Sequence, residues 1–329
     1  MRMHSACILW LKKQVQKMGL APLYWGAFIV LVLALYYGYL TSMYIVDETY
    51  EGDALRELEL PEKFTIRVAV SEGGSGGDPG VASRDSLVGK FISKYSLCQC
   101  VEEVQIIWNR SGPPPLPTDF VYAHTHSRVS FHTTPEPRSN AGVAPFAQSG
   151  LAAAATDAIL LLDLHTQLDC ADLAFAHSVW RSGKSTLVGV FPRLHRRDPV
   201  TMQYSYYGWL HVWWNGVYSI LLPRGVFVGK ALLQKFGAST QLAGALQRHP
   251  ECGDVALSVF AAAENGNPPI WVSISVQRLP GAVADESFGP GSDAGGECLA
   301  TLATALGVER MPYSRSKSAR AASYLFWSL

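Results

Sequence analysis

Long apolar runs and the polar breaks between them divide this chain into predicted elements. Residues Gly19 to Val46 carry no charge and include Phe28-Ile-Val-Leu-Val-Leu-Ala-Leu35, longer than the ~20 residues that cross a bilayer, so the pattern predicts a transmembrane signal-anchor over 20–46. Residues 47–63 are mostly acidic and aperiodic, which reads as a short stem. Phe64-Thr-Ile-Arg-Val-Ala-Val70 then predicts a strand, and Glu72 to Gly80 a glycine-rich loop without the Gly-x-Gly-x-x-Gly that opens a phosphate-binding helix. Leu87, Phe91 and Ile92 recur at helical spacing within Ser83–Tyr95, with Ser83 in N-cap position. Val101 to Trp108 reads as a second strand, and Pro113-Pro-Pro115 breaks the chain after it. A strand from Ala158, a helix near Ala171–Trp180 and a strand at Leu187–Phe191 continue the alternation. Strands alternating with helices predict an α/β domain with a mixed, largely parallel sheet flanked by helices.

Within that pattern the stretch Ala158 to Asp169 stands out. Ala158-Ile-Leu-Leu-Leu162 is apolar without alternation and stops at Asp163, as a buried strand does where its end opens on a crevice. Residues two apart in a strand share a face, so Asp163 and His165 are expected to project together. A carboxylate beside an imidazole suits a divalent ion such as manganese, which in turn grips a diphosphate.

Composition narrows the classes of function. The 329 residues are 48% hydrophobic, enough for one large core or two modest ones. Lys plus Arg and Asp plus Glu both number 27, so no broad positive field attracts nucleic acid. Around the uncharged run, Arg2, Lys12, Lys13 and Lys17 precede while Asp47, Glu48, Glu51 and Asp53 follow. This asymmetry predicts a cytosolic tail over 1–19 and a type II orientation, with the body of the chain in the lumen.

The series Ile106-Ile-Trp-Asn109, Ala158 to Thr166, Ser178-Val-Trp180, Phe191-Pro-Arg-Leu-His195, Tyr204-Ser-Tyr206 and Cys252-Gly-Asp254 resembles the exostosin-type glycosyltransferases, glycosyltransferase family 64. The chain looks like a divergent member. The resemblance implies a GT-A type nucleotide-sugar-binding fold over 64–314, followed by a tail over 315–329. It implies transfer of an N-acetylhexosamine from UDP to a glycan or glycoprotein acceptor with retention of configuration. It also implies Mn2+ and a single-pass anchor in the Golgi or endoplasmic reticulum membrane. The family's Asp-Asp-Asp motif falls on Asp163-Leu164-His165, leaving Asp163 and His165 as the expected metal ligands and Asp163 as a donor contact. Cys252-Gly253-Asp254 stands for the family's Cys-Asp-Asp, which implies that Asp254 lies near the reacting sugar carbon. The resemblance further assigns Arg84, Asn109 and Arg138 to the nucleotide and pairs Cys252 with Cys298. An arginine that the family carries near this last cysteine is replaced by Ser292 or Asp293. The competing reading is a catalytically silent relative that binds nucleotide sugar or scaffolds a partner transferase.

Several features remain open at this level. Cys98-Gln-Cys100 is too closely spaced for a Cys-x-x-Cys zinc arm, and a buried thiol pair or a bridge to Cys170 are the alternatives. Gly183-Lys-Ser-Thr186 lacks the leading glycine and the following helix of a P-loop. His124, His126 and His132 have no acidic third ligand nearby. Asn109-Arg-Ser111 is a glycosylation sequon. The aromatic run Tyr204 to Trp214 suits either core packing or stacking on an acceptor sugar.

Overall fold

The computed structural model describes residues 28–37, 62–71, 86–110, 113–114, 127–134, 144–147, 150–279 and 293–320. The chain divides into two compact units, residues 1–59 with 321–329, and Leu60–Arg320. In the first, the described residues form a helical segment at 28–37 whose apolar side chains are exposed. Among the described residues no helix is long and apolar enough to cross a membrane, and the remainder of the predicted anchor lies outside them.

The second unit is a mixed α/β domain. Strands β1 (Phe64–Ser71), β2 (Val101–Asn109), β3 (Arg128–Thr133), β4 (Ala158–Leu162), β6 (Val188–Gly189), β10 (Gly225–Gly229), β11 (Ile270–Ser273) and β13 (Lys317–Ala319) form an eight-stranded sheet in the order β13-β11-β6-β10-β4-β1-β2-β3. Every neighbouring pair is parallel except those of β10, which runs antiparallel to both β4 and β6. Smaller ladders join β5 (Thr166–Gln167) to β12 (Gln277–Arg278), and β7 (Pro192–Arg197) to β8 (Tyr204–Tyr207) and β9 (Ile220–Leu221).

Continuous apolarity in β4 has the expected cause, since both faces are covered. Ala158, Leu160 and Leu162 join one core with α1 (Leu87–Tyr95) and α3 (Cys170–Ser182). Ile159 and Leu161 join the other with α5 (Lys230–Ala238), α6 (Thr240–Arg248), α7 (Gly253–Asn265) and α8 (Asp293–Leu306). A short helix α2 (Ala144–Ala147) adds Phe146 to this second core. Helix α1 starts later than expected: Ser86, not Ser83, is the N-cap, and its Oγ accepts from the Gly89 N–H at 3.1 Å. Ser83 lies outside the described residues.

Two disulfides pin helices to this frame. Cys252–Cys298 joins the start of α7 to α8, as the resemblance implied, and Cys98–Cys170 ties the segment after α1 to the start of α3. The second bridge resolves the alternatives left open for Cys98 and leaves Cys100 as a buried thiol, pushed up to about 11 by that burial. They close loops of 72 and 46 residues, each worth about 4 kcal/mol on the chain-entropy model.

Candidate functional site

The parallel strands β1, β2 and β4 end on one edge of the sheet, with Ser71 opposite Asn109 and Val68 opposite Leu162. In open α/β sheets this edge is where a ligand crevice forms. Asn109 closes β2 there, 2% exposed, its Oδ1 accepting from the Thr134 hydroxyl at 3.0 Å. The asparagine of the sequon is therefore buried and hydrogen-bonded in the folded chain.

The strand expected from Ala158 is formed and stops before Asp163, but the shared strand face expected of Asp163 and His165 is not. Strand β4 stops at Leu162, and Asp163 to Thr166 make a tight turn closed by Thr166 N–H donating to the Asp163 carbonyl at 3.1 Å. The Asp163 carboxylate accepts from the His165 N–H at 3.2 Å, the local bond by which aspartate ends a strand and starts a turn. Beyond it, Thr166 pairs with Arg278 of β12 and leaves the main sheet. Asp163 and His165 are thus neighbours on a turn rather than on one strand face. Asp163 is half-buried and His165 is 6% exposed.

As a donor set this turn offers one carboxylate and one imidazole. The single cluster of three metal-ligating side chains among the described residues is Glu251 with Cys252 and Cys298, and a disulfide already occupies both sulfurs. Two donors on one turn fit a hard divalent ion only as a partial cage whose remaining positions are taken by phosphate oxygens and water.

Strand register brings a third residue to this edge. Gly225 of β10 lies opposite Leu162 of β4, so Arg224, one position before it, leads into β10 at the edge where β4 ends. Arg224 Nη2 lies 2.6 Å from Asp254 Oδ2, with both side chains largely withdrawn from water at 15% and 17% exposure. Asp254 stands in the first turn of α7, where the helix dipole favours a negative charge. The guanidinium thus holds Asp254 near the edge at which β4 ends and β10 begins. At Gly225, next to Arg224, φ is +154°, and a Cβ there would come 2.7 Å from Val190 Cγ2.

Tyr206 of β8, fully buried like Arg193 of β7, lies within electrostatic reach of Arg193 and of the pair. Burial pushes the Tyr206 phenol up to about 12, against the pull of Arg193 and with a further push from the Asp254 charge. Helix α8 packs directly on this tyrosine, since a Cβ at Gly295 would fall 2.7 Å from Tyr206 Cβ.

Arg224 was not legible as a site residue. Its signal was a lone cation between Leu221-Leu222-Pro223 and Gly225-Val-Phe-Val228, a position where a charge has no reason to sit without a partner. Asp293, where the family's arginine is expected, is exposed at the start of α8. Arg84, Arg138 and Ser292 lie outside the described residues.

A separate cavity of about 840 Å³ opens beside β7, lined by His195, Met202, Tyr204, Arg310 and Tyr313 among others. It also reaches Gly266 at the C-cap of α7, roughly 18 Å along the helix from Asp254 at 1.5 Å per residue. His195 stacks on Tyr313 with ring centres 4.6 Å apart, and its Nδ1 lies 2.6 Å from Ser219 Oγ. Burial holds this imidazole down to about 4.

A strand edge that ends in an Asp-x-His turn, with an arginine-paired acid from a cysteine-bridged helix beside it, defines the class when set beside sequence comparison. The profile described as "Glycosyl transferase family 64 domain" matches residues 79–326, and the chain belongs to that family. The chain is 24% identical over 261 residues to glycosylinositol phosphorylceramide mannosyl transferase 1 of Arabidopsis thaliana, covering 74% of this chain and 75% of the relative. It is 24% identical over 274 residues to exostosin-like 2 of Mus musculus, covering 76% and 74%. Against exostosin-1c of Danio rerio the identity is 25% over 202 residues, 59% of this chain but a quarter of the relative's length.

Proposed function

We propose that this chain is a glycosyltransferase of GT-A type that moves an N-acetylhexosamine from UDP to a glycan or glycoprotein acceptor, with retention of configuration. The observation that carries the reading is the Arg224–Asp254 ion pair at the start of β10, on the same sheet edge at which β4 ends before Asp163. Asp163 and His165 would hold manganese, which supplies positive charge for the departing diphosphate. The Arg224 guanidinium sits where it adds a second cation to that edge and holds the Asp254 carboxylate in one orientation. Asp254, beside the sugar carbon, would stabilise the cationic character that develops as the bond to UDP breaks. Arg84, Asn109 and Arg138 complete the proposed donor contacts. The site would work in the lumen of the Golgi or endoplasmic reticulum, at the end of a single-pass type II anchor.

The plant relative's name specifies mannosyl transfer to a phosphorylceramide, so a mannose donor and a glycolipid acceptor belong in the same screen. A second reading, a silent relative that binds nucleotide sugar or scaffolds a partner transferase, draws on two observations. The third acid of the family motif is His165, and Asp254 is already engaged by Arg224 at 2.6 Å.

Calorimetric titration of UDP with and without manganese decides between them. Manganese-dependent binding that disappears in Asp163→Ala supports a donor site, and turnover in a subsequent donor screen supports the enzyme. Binding without turnover for any UDP- or GDP-sugar leaves the silent reading. No binding in either condition refutes the transferase and leaves only a scaffold.

A further inference from the structure

Three tryptophans and a leucine cover one face of helix α4 (Trp209–Asn215). Trp209, Leu210, Trp213 and Trp214 are 42%, 63%, 59% and 79% exposed. With 3.6 residues per turn these positions fall within an arc of about 140°. Val212, 1% exposed, anchors the other side of the helix. Trp209 stacks on Trp213 at 6.4 Å, and Trp213 lies 6.2 Å from Trp214. Core packing, the expectation for this aromatic run, is thus realised by Tyr206 and Val212 but not by the indoles. Isolated exposed apolar side chains need no explanation, whereas a contiguous patch of this kind marks an interaction surface.

A second observation indicates what the surface meets. An open cavity of about 430 Å³ adjoins the helix through its last residue, Asn215, and is lined by Leu194, Arg196, Asn215, Val217, Tyr313 and Arg315. It holds two guanidinium groups and no carboxylate. Arg196 Nη2 donates to Asn215 Oδ1 at 3.3 Å, and the same guanidinium lies over the Tyr207 ring at 5.5 Å. Paired arginines without an acid are complementary to a phosphate-type anion. Indole rings, apolar with one N–H donor, favour the headgroup level of a bilayer. An anion that comes with an apolar surface beside it is the headgroup of a membrane lipid.

We propose that α4 and the Arg196/Arg315 cavity dock on the surface of an anionic bilayer, with Trp213 and Trp214 at headgroup depth and a lipid phosphate between the two arginines. The uncharged run Gly19–Val46, predicted to sit in a bilayer, would keep such a surface within reach. The proposal does not rest on the transferase reading, and its test reads no turnover.

The test uses the full chain reconstituted in phosphatidylcholine vesicles with brominated acyl chains, with and without phosphatidylserine. The signal is quenching of tryptophan emission, and Trp25 in the apolar run serves as a background common to all variants. The wild type should be quenched more when phosphatidylserine is present. Trp213→Ser with Trp214→Ser should lose roughly half of the quenching, because these are the most exposed indoles at the interface. Arg196→Ser with Arg315→Ser keeps every tryptophan and should lose only the increment that phosphatidylserine adds. All four side chains are exposed, so urea midpoints should stay at the wild-type value. Quenching that is unchanged in the tryptophan variant overturns the proposal, as does a wild type indifferent to phosphatidylserine. Concentration-dependent self-association that the tryptophan variant abolishes, with quenching unaltered, would assign the face to a second copy of this chain.

Discussion

Breaking the Arg224–Asp254 pair is the sharpest perturbation the structure offers. At 2.6 Å the two charges attract by about 6 kcal/mol for an effective dielectric constant of 20. Both side chains are mostly withdrawn from water, and desolvation takes back several kcal/mol, leaving a coupling of about 2–3 kcal/mol. A double-mutant cycle with Arg224→Gln, Asp254→Asn and the combined variant isolates that term, since each change keeps the side chain's approximate size. In urea, with a slope of about 3 kcal/mol per molar for a chain of this size, either single variant should lower the midpoint by about 1 M. The double variant should fall no further than the worse single, because it leaves no buried charge unpaired. A coupling below about 0.5 kcal/mol would refute the reasoning, because it would mean that the pair is solvated and does not fix Asp254. If Asp254 acts at the sugar carbon, Asp254→Asn should also abolish turnover while UDP binding persists.

Other consequences follow from the same physical terms. Burial holds His177 and His195 at about 4, below the ordinary 6.5, so the unfolded chain takes up protons that the folded chain does not between those values. Stability should therefore be full above pH 6.5 and fall as pH drops toward 4, by up to about 1.4 kcal/mol per pH unit for each imidazole. Urea midpoints measured across this range check the slope. His177 is fully buried between Phe64, Trp180 and Phe227, and neither ring nitrogen has a hydrogen-bond partner among the described residues. His177→Phe should raise stability at pH 7 by about 1 kcal/mol and roughly halve the acid slope; a destabilised variant with an unchanged slope would count against burial as the cause. Gly296→Ala should cost more than Gly295→Ala in thermal denaturation, because its Cβ meets the Tyr204 backbone, whereas that of Gly295 meets a side chain. Cys252→Ser should lower stability by about 4 kcal/mol or less, with dithiothreitol reproducing part of the effect on the wild type.

How far the sequence reached differs from element to element. Helix α3 and strands β1 and β2 were readable to within a residue or two, because each carries a long apolar pattern of one period. The two-residue strand β9 carries no period of its own and exists because an existing ladder accepts it, while of the expected strand Leu187–Phe191 only Val188–Gly189 is paired as β6. The shared strand face expected of Asp163 and His165 gives way to a turn, since the chain's direction there is set by a side-chain bond to the His165 N–H and by pairing with β12, more than a hundred residues downstream. Arg67 shows the same limit: it is fully buried on β1, bonded to Gln105 of β2, and held down to about 10 by burial. Within a strand pattern it looks like any solvent-facing charge.

By itself, then, the sequence determined the α/β alternation and the family, because each is written in local periodicity or in short motifs, and the pair Cys252–Cys298 followed from the resemblance to that family. Only the tertiary structure decided that Arg224 would join Asp254, that Cys98 rather than Cys100 would reach Cys170, and that three tryptophans would face solvent. Those outcomes depend on register and on which faces the helices cover. Both are set by contacts between residues tens to hundreds of positions apart, and no local pattern records them.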